Sequence, residues 1–345
     1  MCRTLVEACG TSFLVKATTE NMDQYISALY QVVREGNKTN SYKFALWRAL
    51  ARLAPHTAEQ NPKISKQDLA AVFLEYYWPF EVKYHIRQQS DPDKDPVVMV
   101  RIRDLLKAGK IVEGETLREF RRRTPSEYNR LLGRVAREAF NDVIPRFHIV
   151  RGEPIKPAIF TFSGEVGKVG DMIELTGGGR QFLIGYGKVV DYVAVSGWVH
   201  FTEGFTSAPR LHDKIDGGDL KRGSITQWRG ELLAIQNNKC FYCESRDMAS
   251  PEIDHVLPWT FVLEDRTWNL VLACRTCNNG KRDRLVDADT LERLCARNER
   301  IAGRQINSDP RFLRHFEEWH SRDLSSHVRG LYDQAIADNF PRWKD

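Results

Sequence analysis

Apolar residues recur at helical spacing through roughly the first 150 positions, and the texture then changes to short β-prone runs. Phe44, Leu46, Leu50 and Leu53 define a helix that Asn40 or Ser41 can cap and Pro55 stops. Leu69, Val72, Phe73 and Tyr76 define a second, starting near Ser65. Asp91 to Pro96 is a turn-rich break. Thr124-Pro125-Ser126-Glu127 is a start signal: a capping Thr, Pro at the first helical position, and Glu three residues after the cap. The helix behind it carries Leu131, Leu132, Val135 and Phe140. After Pro145, strands are expected over 159–162, 171–175, 182–184 and 192–199. Gly177-Gly178-Gly179 reads as a plain turn, since the Gly-Lys-Ser/Thr of a phosphate loop is missing and no helix is predicted behind it. Residues 205–222 form a polar linker with Gly217-Gly218 as its hinge, and helical patterning returns after Asp287.

The expected organisation is α+β and multidomain. A mainly helical domain spans 1–148, a β-containing segment and linker 149–222, a compact chemical module 223–286, and a helical tail 287–345. Composition sets few further limits. The chain has 345 residues, 42% hydrophobic and 28% charged, which is ordinary for globular protein. Its net charge of +5 is too small to name a partner. No apolar run is long enough to cross a bilayer, and the N-terminal MCRTLVEACG does not read as a secretory signal. The expected setting is therefore the cytoplasm, with no membrane partner and with reduced thiols.

Thiol spacing changes the picture most. Four of the seven cysteines form two C-x-x-C pairs, Cys240/Cys243 and Cys274/Cys277, and in a reducing compartment such pairs favour a metal over a disulfide. Four soft thiolates suit tetrahedral Zn²⁺ in a closed, structural site. The remaining Cys2, Cys9 and Cys295 read as small apolar residues or surface thiols. Between and after the pairs stand Glu252-Ile-Asp254-His255-Val-Leu-Pro258, Asn269-Leu, and Cys277-Asn278-Asn-Gly-Lys281. Asp254 and Asn278 offer oxygen ligands for a hard divalent cation. Histidine as a residue type has an unperturbed pKa near neutral pH, which makes His255 a candidate for proton transfer.

This segment, Cys240 to Arg284, resembles the four-cysteine branch of the HNH endonuclease family, whose motifs appear here in the family's order. The spacing from His255 to Asn269 and Asn278 is similar to that of the HNH lobe of RNA-guided effector nucleases. The resemblance implies a β-hairpin and helix around one Mg²⁺ or Mn²⁺, with strands over 253–257 and 270–273. It implies Asp254 and Asn278 as ligands, His255 as general base, Asn269 as a brace of the hairpin loop, and Lys281, with Arg282, near the phosphate. It implies DNA as substrate and 5′-phosphate and 3′-hydroxyl ends. One departure is Asn278, which stands where the family often has His, with Asn279 as an alternative ligand. Glu252 reads as a strand residue rather than a ligand.

Two rival readings use the same residues: an RNA- or tRNA-cleaving toxin, and a non-catalytic zinc module that binds nucleic acid. The residues ahead of the module are too many for a linker. They are expected to recognise DNA, a modified base, a protein partner or a second copy of the chain, and their layout resembles that of helical regions preceding HNH units in bacterial restriction and anti-phage nucleases. Arg118, Arg121, Arg122 and Arg123 form a basic run there, either a solvated charge face or a set of phosphate contacts. A second cluster, Arg275, Lys281, Arg282 and Arg284, lies in the module itself. Trp47, Trp78 and Tyr84 could stack on bases, but their helical spacing favours a core.

Overall fold

The computed structural model describes residues 22–343 apart from 113, 218–222, 249, 304–307, 318 and 320. Cys2, Cys9, the N-terminal decapeptide and the Gly218 half of the expected hinge lie outside the described residues. The chain forms two compact units, one of residues up to 83 with 87–205, the other of 84–86 with 206 onward.

The first unit contains α1 (22–34), α2 (Tyr42–Leu53), β1 (Lys63–Ser65), α3 (Lys66–Pro79), α4 (Val97–Lys107), α5 (Leu117–Arg123), α6 (Pro125–Glu138) and α7 (Phe140–Arg146). It continues with β2 (Ile149–Val150), β3 (Glu153–Pro154), β4 (Phe160–Glu165), β5 (Lys168–Leu175) and α8 (Gly177–Glu203). Helix α3 starts with a full capping box: the Ser65 hydroxyl accepts from the Asp68 N–H, and the Asp68 carboxylate accepts from the Ser65 N–H. The Thr124 signal works differently from its sequence expectation. Helix α6 does begin at Pro125, but the Thr124 hydroxyl donates back to the Phe120 carbonyl and does not cap it. Glu127 is drawn instead to Lys110 at 2.7 Å and Arg130 at 2.9 Å.

The larger correction is α8. The expected strands 182–184 and 192–199, and the glycine turn before them, form one 27-residue helix. Thr176 caps it by accepting from the Gly179 N–H at 3.0 Å. Its buried residues Phe182, Leu183, Val190, Ala194, Trp198 and Thr202 follow a helical period, and packing against α2 overrides the β preference of its valines. At Gly197 a Cβ would lie 2.3 Å from Val33 and 2.9 Å from Phe44, so glycine is what allows the close approach. The sheet itself is antiparallel in the order β1-β5-β4, with Ile64 opposite Ile173 and Phe160 opposite Leu175. Trp47, Phe73, Tyr77, Phe80 and Trp198 are fully or almost fully buried around α2, α3 and α8. Trp47, Trp78 and Tyr84 all belong to cores. No helix among the described residues is long and apolar enough to cross a membrane.

The second unit contains α9 (Leu211–Asp216), α10 (Arg229–Ile235), β6 (Glu252–His255), α11 (Trp259–Val262), β7 (Leu270–Ala273), α12 (Arg275–Lys281), α13 (Ala288–Ala302), α14 (Pro310–Glu317) and α15 (Ser321–Ala337). The expected polar linker thus carries a short helix, and Gly217 ends it in the left-handed region, φ 77°. Strands β6 and β7 form an antiparallel hairpin in the register Glu252↔Ala273 and His255↔Leu270. All four residues of β7 are buried, and α12 follows after the single residue Cys274. The unit is therefore a β-hairpin and helix with a helical tail. Cys295, on α13, is buried, in line with its reading as a small apolar residue.

Candidate active site

Two turns of backbone build the thiol cluster. The Glu244 N–H bonds to the Cys240 carbonyl, and Glu244 takes a left-handed φ of 58°, which folds Cys243 back beside Cys240. Cys274 is the N-cap of α12, its sulfur accepting from the Cys277 N–H at 3.5 Å, and the Cys274 N–H points at the Cys240 sulfur at 3.3 Å. All four Sγ atoms lie within 4.8 Å of one another. A tetrahedral site with Zn–S bonds of ~2.3 Å would place its sulfurs ~3.8 Å apart. The Cys243–Cys274 separation is 3.9 Å. Burial, and then the neighbouring sulfurs of Cys274, Cys243 and Cys240, push the Cys277 thiol well above its usual range. The cluster is capable of coordinating a structural zinc ion. It is the one such group of His, Cys, Asp and Glu side chains among the described residues.

Strand alternation sorts the other candidates onto two faces of β6. Glu252 and Asp254 face α12. The Asp254 Oδ2 accepts from the Tyr242 hydroxyl at 2.5 Å and lies 3.2 Å from the Lys281 ammonium. Burial, and then the Asp254 charge, hold the Tyr242 hydroxyl far above the usual phenol range, so it is a permanent donor. Glu252 accepts from the amide nitrogen of Asn278 at 2.6 Å and meets Arg275 at 3.4 Å. His255 turns the other way and is 4% exposed. Its Nε2 lies 2.9 Å from Asp265, a residue of the loop between the strands. The structure therefore brings Asp254 and Asn278 to one face and directs the His255 ring to the opposite one.

Lys281 does not sit at the surface. It is fully buried, and its ammonium donates to the His255 carbonyl at 2.7 Å as well as facing Asp254. A phosphate contact from this residue, as first expected, does not fit that position; it ties α12 to β6. Arg275 and Arg282 remain exposed beside it. Asn269 is also fully buried, and its amide accepts from the Leu257 N–H at 2.8 Å and donates to the Leu257 carbonyl at 2.9 Å. Asn269→Ala would strand both backbone groups and is expected to cost about 2–4 kcal/mol, read as a lower urea midpoint at unchanged slope.

Sequence reasoning missed Tyr242 and Asp265. Tyr242 sits inside the first C-x-x-C, where its spacing to Asp254 is visible only once the knuckle folds. Asp265 lies in a loop without a period. Farther back, the Arg297 guanidinium on α13 is buried and donates to the Trp268 and Leu270 carbonyls, and Asn298 donates to Trp268. Burial lowers Arg297 to about 9, so it remains charged at neutral pH. On α14, His315 accepts from the Thr267 N–H at 3.0 Å, and the Thr267 hydroxyl donates to the Phe312 carbonyl at 2.8 Å. Tail helices thus hold the far end of the loop that carries Asp265.

Comparison with known proteins places two segments. Residues 22–163 match a family described as a domain of unknown function (DUF8808). Residues 243–286 match the family described as HNH endonuclease. No curated protein and no solved structure matches the chain. The hairpin, the helix behind it and three of the four cluster cysteines lie within the segment of the second match, with Cys240 just ahead of it, and the chain accordingly carries an HNH endonuclease domain with a four-cysteine cluster able to hold zinc.

Proposed function

We propose that the chain is a metal-dependent endonuclease that hydrolyses DNA phosphodiester bonds, with His255 as general base. The observation that carries this reading is the pairing of His255 with Asp265. A carboxylate accepts only, so Nε2 carries the ring proton and Nδ1 keeps its lone pair. In that tautomer Nδ1 is the nitrogen that can take a proton from water. Asp265 then holds the ring and offsets the charge it gains.

The residues on the other face fit a hard cation. Tyr242 and Lys281 engage one oxygen of Asp254, and among the described residues the second has no hydrogen-bond donor. Glu252 takes the amide nitrogen of Asn278, which turns the amide oxygen away from it. Asp254 and Asn278 would hold the ion, Mg²⁺ or Mn²⁺. When bound it supplies charge neutralisation at the phosphate and at the leaving oxygen. Lys281 holds Asp254 in place. Zinc at the four cysteines would have no open position and serves the fold. One such centre cuts one strand, so double-strand breaks would need two copies or two successive events. Bacterial restriction or phage defence in the cytoplasm is the setting we infer, from the resemblance of the helical region alone.

Purified protein incubated with supercoiled plasmid, single-stranded DNA and total RNA, in Mg²⁺ or Mn²⁺, tests the assignment. Relaxation or linearisation of plasmid, abolished by EDTA, is the expected result. Cleavage confined to RNA would transfer the activity to the other substrate class, and no cleavage of any substrate would leave a binding module.

A further inference from the structure

Three arginines of the first unit stand with no carboxylate of the described residues in contact. Arg118, Arg121 and Arg122 line an open concavity of about 450 Å³ together with Pro125, Tyr128 and Asn129. All three are exposed. Positions i, i+3 and i+4 of α5 put them on one helical face, with neighbouring Cβ atoms ~5–6 Å apart. The nearby acids among the described residues are engaged elsewhere. Glu115 is held by Arg123 at 2.6 Å, Glu127 by Lys110 and Arg130, and Glu119 by the capping box of Thr116. The fourth arginine of the run, Arg123, is consumed by Glu115, so the run splits into one structural residue and three available ones.

The floor of the concavity is built for the same charge. Pro125 is the first residue of the 14-residue α6, whose N-terminus carries partial positive charge. No side chain caps that first turn, because Thr124 is turned back to Phe120. The Arg121 guanidinium lies 5.0 Å from the centre of the Tyr128 ring, which orients it. Tyr128 is itself 5% exposed, so its ring offers no face on which a base could stack. The concavity therefore has charge to offer and no slot for a base.

We infer that this face of α5 and α6 is a docking surface for the phosphodiester backbone of nucleic acid, duplex DNA in the first instance, made by Arg118, Arg121 and Arg122. It reads phosphate and not sequence. It rests on the reading of the chain as a nucleic-acid enzyme, adding a contact remote in sequence from the cleaving residues and lying within the 22–163 segment.

The test is fluorescence anisotropy of a labelled duplex with full-length protein at several salt concentrations, without divalent metal so that nothing is cut. Arg118→Ala/Arg121→Ala/Arg122→Ala should weaken binding at least ~10-fold and lower the slope of log K against log[salt] by about 2–3, one unit for each lost phosphate contact. The triple Arg→Lys variant, which keeps the charge, should restore most of that slope. A triple alanine variant with the wild-type melting curve, affinity and slope would overturn the inference. So would competition by a mononucleotide, or by polyglutamate, as effective as unlabelled duplex at equal charge. If the plasmid assay finds no cleavage while the triple variant loses duplex binding, the nuclease assignment falls and this surface stands.

Discussion

His255→Ala is expected to reduce plasmid cleavage by at least ~10²–10⁴-fold, the usual contribution of a positioned general base. The effect depends on one hydrogen bond, His255 Nε2 to Asp265. With Nε2 fixed on Asp265, the opposite nitrogen is the ring's available acceptor, and alanine removes it. The variant should still carry zinc and, with Mg²⁺ and Mn²⁺ left out, still bind duplex, because His255 contributes no sulfur to the cluster and its backbone carbonyl, not its ring, receives Lys281. Asp265→Asn should give a smaller loss, about 10–100-fold, in kcat with KM little changed, since the ring loses its orientation and tautomer preference while the substrate loses no contact. Wild-type turnover in His255→Ala would remove the proposed mechanism altogether. Equal KM and kcat effects in Asp265→Asn would show instead that the loop bears on substrate binding.

Loss of zinc is the second large effect. Cys240→Ser or Cys277→Ser should purify without the ion, and the second unit should lose its cooperative melt while the first keeps its own. Apparent zinc-binding free energies in finger peptides are ~10–16 kcal/mol, comparable to the whole stability of a domain at ~5–15 kcal/mol. The elements at risk are identifiable. Without the ion, the contacts left between the knuckle at Cys240 to Glu244 and the β7–α12 junction include the Cys274 N–H to the Cys240 sulfur and the Phe241 N–H to the Leu272 carbonyl. Tyr242 would then release Asp254, so activity should fall with the fold. EDTA alone cannot separate the two metals. Re-addition of Mg²⁺ after zinc has been stripped should not restore cleavage, whereas Zn²⁺ followed by Mg²⁺ should. A wild-type melt in Cys240→Ser, with protein purified free of zinc, would show the cluster to be dispensable.

Much of the module was legible because its chemistry is tied to spacing. C-x-x-C pairs can be read as knuckles without any coordinates, and the two residues Asp254 and His255 must point apart if they share a strand. The bracing role expected of Asn269 corresponds to its two bonds with Leu257. What was hidden depends on tertiary proximity. Lys281 reads as a surface cation until β6 is laid against α12, when it becomes a buried tie. Asp265 has no period to announce it. In α8 the local signals conflict: Val189, Val190, Val193 and Val195 favour a strand, and three glycines favour a turn, while the repeat from Phe182 to Thr202 favours a helix. Burial against α2 decides between them, and no window of a few residues contains that information. Thr124 shows the same limit at smaller scale, since its hydroxyl has a competing acceptor one turn back.

Arg297 and Asn298 have a consequence for anyone wishing to excise the cutting module. Both sit past residue 286, where the family match ends, and both hold the Trp268 carbonyl. A fragment stopped at that boundary would keep all four cluster thiols and every proposed ligand, yet its Asp265 loop would have lost the anchor at its far end. The smallest transplantable cutter is therefore longer than its signature, and must extend through α13 and α14 to keep the histidine's partner in register.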